Sequence, residues 1–286
     1  MEDQARERIM SLISLINEPT LQHLDSSDYI KDGLRHCQSC RTAKQMTLEI
    51  EGMTAVVGIL CDCKRKRSQA EQLQVELKQE QERQKLVREK GLRSHELINA
   101  TFANDQSPDS PVSKALRRYT ENWGSMKKEN IGVLLYGSVG TGKTYYAGAV
   151  ANHVIDHGDR ALIMNVADLT ALRPPEEQRI IEARIDDWEL FILDDLGAER
   201  LTEYAIEQVY NAVDRRNASG KPMIVTTNLD KNEMMNIPPS EGARKRIFDR
   251  VLESCPLGME MTGVSKRIGV ADHRRDMARK ILTGEY

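Results

Sequence analysis

Apolar positions along this chain follow two rhythms, and the change from one to the other marks out its parts. Ile9, Leu12, Ile13 and Ile16 recur at i, i+3, i+4, i+7, one helical stripe that suits either a core or a docked partner helix. Met46–Ile50 and Thr54–Leu60 read as strands on either side of a Glu51-Gly52 turn. From Ser68 to Lys90 the residues are mostly Gln, Glu, Lys and Arg, and after Leu77 nothing apolar returns until Leu86 and Val87. That spacing does not sustain a heptad and predicts a solvent-exposed linker helix, ended by Gly91. A turn cluster over 105–111 then supplies an N-cap serine, Ser110, and a first-turn proline, Pro111, ahead of Val112, Leu116, Tyr119 and Trp123 on one helical face.

Beyond residue 130 short apolar runs alternate with helical segments. The runs are Ile131–Tyr136, Ala161–Val166, Leu190–Leu193, Met223–Thr227 and Met259–Thr262. Among the helical stretches are Tyr145–Ile155 and a segment with Ile206, Val209, Tyr210 and Val213 on one stripe. Strands interleaved with helices predict an α/β fold, a parallel sheet whose ligand site lies at the strands' carboxyl ends.

Composition narrows the class. The chain has 286 residues, 40% hydrophobic and 30% charged, with a net charge of −3. No whole-molecule field draws it to nucleic acid, so any such contact must come from a local patch. No apolar run reaches the length of a membrane span, and the first residues lack a signal peptide's order, so the cytoplasm is expected and a membrane partner is not. Lys64–Arg67 is a run of four cations that suits either a phosphate backbone or the solvated start of the next helix.

Four of the five cysteines form two close pairs, Cys37 with Cys40 and Cys61 with Cys63. Zinc takes four tetrahedral ligands, and a C-x₂-C turn supplies two thiolates at once. The C-x-C pair is tighter than usual. The expected arrangement is a hairpin pinned at its ends by structural zinc, with His36 able to replace one cysteine and unconnected free thiols as the alternative.

The most informative stretch is Gly137-Ser138-Val139-Gly140-Thr141-Gly142-Lys143-Thr144, set between an apolar strand and a helix. In that context glycines let successive N–H groups face phosphate oxygens, and the helix dipole adds to the pull on the anion. Lys143 is placed for the β- and γ-phosphates of ATP, and the Thr144 hydroxyl for Mg²⁺. About fifty residues on, Leu190–Leu193 ends in Asp194 and Asp195. Asp194 is expected to hold Mg²⁺ and Asp195 to polarise an attacking water. The next strand ends Thr226-Thr227-Asn228, a polar tip that suits either the γ-phosphate or ordinary strand capping. Tyr145 and Tyr146 suit either core packing or base stacking.

On these residues the chain resembles the AAA+ ATPases of the DnaC/DnaI helicase-loader type, with the IstB transposition ATPases as close relatives. The resemblance rests on 137–144, 193–199, 225–229, Arg244–Arg250 and Asp272–Arg275, and covers about residues 92–286. It implies an AAA+ core with Asn228 as sensor 1, Arg246 as an arginine finger reaching a neighbouring subunit, Arg250 beside it in a supporting role, and Arg274 as sensor 2. Many AAA+ proteins carry Glu where Asp195 stands. The implied organisation is a zinc-binding, helicase-interacting domain over 1–67, a helical linker over 68–91 and an AAA+ ATPase domain over 92–286. The implied partners are a hexameric replicative helicase, single-stranded DNA and further copies of the chain. An IstB-like transposition helper and a P-loop metabolic kinase are the alternatives. A GTPase is disfavoured because no N-K-x-D motif occurs.

Overall fold

The computed structural model of the protein describes residues 27–283 apart from 51, 93, 172, 198–201 and 264, and excepting the side chains of 50, 53 and 266–274. The Ile9–Ile16 stripe lies outside the described residues. The chain divides into two compact units between Gln81 and Glu82.

The first unit holds two antiparallel hairpins. β1 (Tyr29–Lys31) and β2 (Leu34–His36) turn through Asp32 and Gly33, both in the left-handed region at φ +54° and +78°. Strands of three residues are too short to show a period, which is why the sequence did not announce them. β3 (Gln45–Ile50) and β4 (Met53–Gly58) pair in register from Gln45↔Gly58 to Ile50↔Met53 around the expected turn. Helix α1 (Asp62–Gly91) begins ahead of the expected Ser68, and its early cations pair with acids one turn away, Arg65 with Asp62 and Arg67 with Glu71. Gly91 is the last residue of the helix, and no side chain fits there. A Cβ on it would lie 2.1 Å from the Ala161 carbonyl oxygen.

In the second unit, helices α2 (His95–Ile98), α3 (Pro111–Glu121) and α4 (Trp123–Lys128) precede a five-stranded parallel sheet. Ser110 caps α3 as expected, its side chain accepting from the Ser113 N–H at 3.1 Å. The sheet contains β5 (Val133–Gly137), β6 (Ala161–Asn165), β7 (Leu190–Leu196), β8 (Met223–Thr227) and β9 (Leu257–Met261), in the order β6–β7–β8–β5–β9. Between the strands run α5 (Lys143–Asp156), α6 (Val166–Thr170), α7 (Pro175–Asp187), α8 (Glu203–Ala218), α9 (Lys231–Met235) and α10 (Gly242–Ser254), with α11 (Lys266–Thr283) last. β7 continues past the expected apolar run to include both aspartates and Leu196.

β5, β6, β7 and β8 are buried on both faces, as a parallel sheet covered by helices requires, whereas the edge strand β9 alternates between exposed and partly buried residues. Val133, Leu135, Ile192 and Ile224 face one core with Tyr146, Val150 and Val154 of α5 and Leu116 of α3. Their neighbours Leu134, Leu193, Met223 and Val225 face the other, with Val209 and Val213 of α8 and Ile247, Phe248 and Val251 of α10. No helix of the described residues is long and apolar enough to cross a membrane.

A guanidinium is sunk in this scaffold. Arg216 is fully buried, and its guanidinium donates to the carbonyls of Ile185 (2.8 Å), Trp188 (2.7 Å), Glu189 (2.7 Å) and Pro222 (2.7 Å). Burial, the largest influence, pulls its pKa down to about 10. The planar fork joins the end of α7, the start of β7 and the approach to β8. Arg216→Met strips the donors from all four carbonyls, a loss on the order of 3 kcal/mol or more. A thermal melt of that variant should fall by at least about 6 °C, and a shift under about 2 °C would contradict the structural role assigned to Arg216.

Candidate nucleotide and metal sites

The phosphate-loop motif lies at the carboxyl end of β5, where the sheet delivers it to the first turn of α5. Gly137, Gly140 and Gly142 have φ of +117°, +78° and +100°, backbone that side-chain-bearing residues rarely adopt. Gly137 is also pressed against β9: a Cβ there would sit 2.6 Å from the Met261 carbonyl, which accepts from the Ser138 N–H at 3.1 Å. The edge strand β9 thus clamps the start of the loop. Thr141 Oγ1 closes it from within, donating to the Ser138 carbonyl at 2.9 Å. Lys143 is buried, with Nζ donating to the carbonyls of Gly137 (2.9 Å) and Ser138 (2.7 Å). Backbone curled by glycines, a buried ammonium and a helix N-terminus form a cradle suited to the phosphates of ATP. Val139, at the loop's tip, is exposed.

The two halves of the motif meet through one contact. Thr144 Oγ1 donates to Asp194, 2.9 Å from Oδ1 and 3.1 Å from Oδ2. Asp194 is buried, and burial is the main influence raising its pKa above the usual carboxylate range. The Thr226 hydroxyl opposes that rise, the Asp195 charge adds to it, and Thr144 and Lys143 oppose it. A hydroxyl and a buried carboxylate are hard oxygen donors of the kind Mg²⁺ takes, so this pair fits that ion.

Asp195 differs from its neighbour in every respect. It is exposed, and its backbone lies in the left-handed region at φ +58°. The β7–β8 register explains the difference. Leu193 pairs with Val225 and Leu196 with Thr227, so Asp194 and Asp195 together face the single residue Thr226. That is a β-bulge, a device that re-aims side chains. Thr226 is fully buried, donates to Asp194 Oδ1 at 2.6 Å and accepts from the Asp195 N–H at 2.9 Å. Thr227 Oγ1 donates to the Leu196 carbonyl at 2.6 Å, and half-buried Asn228 follows at the tip of the strand. In the sequence Thr226 and Thr227 were legible only as a polar strand end. Their signal was two threonines in one strand facing two aspartates in another.

Two of the predicted arginines, Arg246 and Arg250, make their described contacts on α8 and α10. Arg246, exposed on α10, holds its guanidinium carbon 6.0 Å from the centre of the Tyr210 ring. Arg250 pairs with Asp214 (3.4 Å) and Glu253 (3.4 Å), and the Asp214 charge is the main influence raising its pKa. Arg274 falls in α11, and its side chain lies outside the described residues. Tyr146 is buried with its hydroxyl 3.1 Å from Asp105 Oδ1, and Tyr145 donates to the Thr101 carbonyl at 2.7 Å, so both pack within the unit.

In the first unit the sulfurs of Cys37, Cys40, Cys61 and Cys63 all lie within 4.8 Å of one another. The Cys37–Cys63 and Cys61–Cys63 separations are 3.6 and 3.4 Å, too long for a disulfide and close to the about 3.8 Å edge of a tetrahedron with zinc–sulfur bonds of about 2.3 Å. β2 delivers Cys37, the following turn Cys40, and the first turn of α1 Cys63. Thr42, which the sequence did not single out, ties the pairs together: its hydroxyl lies 3.1 Å from Cys40 Sγ and accepts from the Asp62 N–H at 3.0 Å. The Thr42 side chain is the first cause drawing Cys40 down to about 5, while the neighbouring sulfurs, Cys61 first, push Cys63 up to about 12. Four crowded thiols cannot all ionise beside one another without a cation, and soft sulfur donors in this number fit zinc. His36 is outside the set; its Nδ1 lies 3.0 Å from the Leu34 carbonyl oxygen and its ring stacks on Tyr29.

Known proteins bear on this arrangement. The family model described as "IstB-like ATP binding protein" matches residues 63–270, well over half of the chain and inclusive of the phosphate loop, both aspartates, Asn228, Arg246 and Arg250. The protein named replicative helicase loader DnaC of Buchnera aphidicola subsp. Schizaphis graminum is 29% identical over 181 residues, 59% of this chain and 69% of that relative. The protein of the same name from Escherichia coli strain K12 is 29% identical over 149 residues, 49% of this chain and 56% of that one. The chain thus spans about half the length of the latter. Among solved structures, the crystal structure of the DnaI shares the fold, with a TM-score of 0.50 and 22% identity over 59% of this chain and 94% of that one. The chain belongs to the IstB-like ATP-binding protein family and carries its phosphate loop on a parallel α/β core.

Proposed function

We propose that this protein is an ATP-dependent loader that binds a hexameric replicative helicase and delivers it to single-stranded DNA. The observation that carries the reading is the Thr144–Asp194 contact, which completes an ATP site in a chain whose relatives bear the name of helicase loader. In this reading Lys143 neutralises the β- and γ-phosphates, and Thr144 and Asp194 hold Mg²⁺. Asp195 orients the water that attacks the γ-phosphate, giving ADP and phosphate, while Asn228 senses that phosphate. Arg246, exposed on its own subunit, completes the site of a neighbour, and Arg250 supports it from the Asp214 pair. Arg274 contributes as sensor 2. ATP binding orders the oligomer and hydrolysis releases it.

The cysteine-bearing front (1–67), with structural zinc on Cys37, Cys40, Cys61 and Cys63, grips the helicase, and 68–91 links it to the ATPase domain (92–286). The protein then works in the bacterial or phage-infected cytoplasm. The family model's description favours one second reading, a transposition helper ATPase. A pull-down with a replicative helicase, with and without ATP, separates the two: nucleotide-dependent capture supports the loader, and its absence favours the helper.

Three outcomes follow from the proposed roles. Lys143→Ala should lower ATP turnover at least about a hundredfold, and turnover that survives it would refute the ATPase reading. Mixing Arg246→Ala subunits with Lys143→Ala subunits should restore part of the turnover that each lacks alone; no rescue at any ratio would leave Arg246 a surface residue. Metal analysis after chelator-free purification should find about one zinc per chain, lost in Cys37→Ser, whereas a metal-free wild-type chain would remove zinc from the proposal.

A further inference from the structure

We infer that Thr226 is a positioning residue that gives the two aspartates their separate tasks, an inference that rests on the ATPase reading above. Its hydroxyl has one proton and accepting lone pairs, and the structure uses both. The proton goes to Asp194 Oδ1 at 2.6 Å, and a lone pair takes the Asp195 N–H at 2.9 Å. Thr144 reaches the same carboxylate from the phosphate-loop side, so Asp194 is fixed between two hydroxyls and cannot rotate freely. Thr226 holds Asp195 through its backbone N–H, and the residue is exposed.

The bulge makes this division possible. Two residues of β7 stand against one of β8, and the fully buried Thr226 is that one. Asp195 occupies the left-handed region, which costs a non-glycine residue energy and persists only where surrounding contacts hold it. The hydrogen bond to Thr226 is such a contact. Without it the bulge can relax toward regular pairing, and because side chains alternate along a strand, a one-residue slip turns Asp195 away from the face that the bulge gives it. Threonine suits the place because its methyl packs in a β-rich core while its hydroxyl serves both aspartates.

Thr226→Val keeps the shape and removes both hydrogen bonds. Loss of a residue that orients a metal-facing ligand should lower kcat about 10–100-fold, with the affinity for ADP in the absence of Mg²⁺ held within about threefold because the loop backbone is untouched. Thr226→Ser should recover most of the rate. In an Asp195→Ala background the added Thr226→Val change should cost less than it does in the wild-type chain, since the part of its effect that runs through Asp195 is already lost while the part through Asp194 remains. Wild-type-like turnover in Thr226→Val would overturn the inference. So would equal losses of turnover and ADP affinity with a lowered melting temperature, which mark a merely structural role. If Thr226→Val does not fold, Thr226→Ser carries the test against Thr226→Ala, and equal kcat in that pair overturns the inference. Absence of turnover in the wild-type chain overturns the ATPase reading instead, so the two failures are distinguishable.

Discussion

A hydrogen bond from Thr144 to Asp194 joins the first turn of the phosphate-loop helix to the end of β7, and the organisation of the site depends on it. These groups are fifty residues apart in the chain. They meet because β5 and β7 are both bonded to β8, so the loop and the aspartates leave the sheet at the same edge. Burial would drive Asp194 toward its neutral form, and the hydroxyls of Thr226 and Thr144 together with the Lys143 charge act against that tendency. A buried carboxylate held in this way is matched to a divalent cation rather than to a passive role in the core.

The scaffold explains why the contact is rigid. Successive residues of β5, β7 and β8 enter opposite cores, so none of the three can shift without moving helices on both faces. β9 grips the loop from the other side through Met261 and Ser138. The loop is therefore held at its start by β9, at its final threonine by β7, and across its middle by Lys143, which bonds the loop's own carbonyls. Preorganisation of this kind lets a phosphate cradle work without reorganising its donors. Among the described residues, the one register shift in the sheet, the bulge opposite Thr226, lies at the two carboxylates.

Much of this was legible in the sequence because it is written in local pattern. Runs such as Leu190–Leu193 and Met223–Thr227 are apolar enough to mark buried strands, and the glycine spacing of 137–142 marks the loop. The cysteine pairs were visible for the same reason. What escaped depends on pairing across the sheet or on packing at a distance. The bulge cannot be seen without the β7–β8 register, and the φ of Asp195 follows from it. Arg216 reads as an ordinary helix-surface cation until four carbonyls from three segments surround it. β1 and β2 are too short to have a rhythm. Arg246 and Arg250 look alike in the sequence, and only the contacts of α10 distinguish an exposed arginine over a tyrosine from one paired with Asp214 and Glu253.

The first unit and the second offer donors suited to different metals, four sulfurs in one and the Thr144–Asp194 oxygens in the other. The oxygen site is the more consequential, because it links nucleotide binding to the strand that carries Asp195. Calorimetric titration of the intact chain with ATP, with and without Mg²⁺, and again in Asp194→Asn, tests that link most directly. Binding should be tightened by Mg²⁺ in the wild-type chain, and that gain should vanish in the variant while metal-free binding persists. Equal tightening by Mg²⁺ in both proteins would show that Asp194 does not hold the ion.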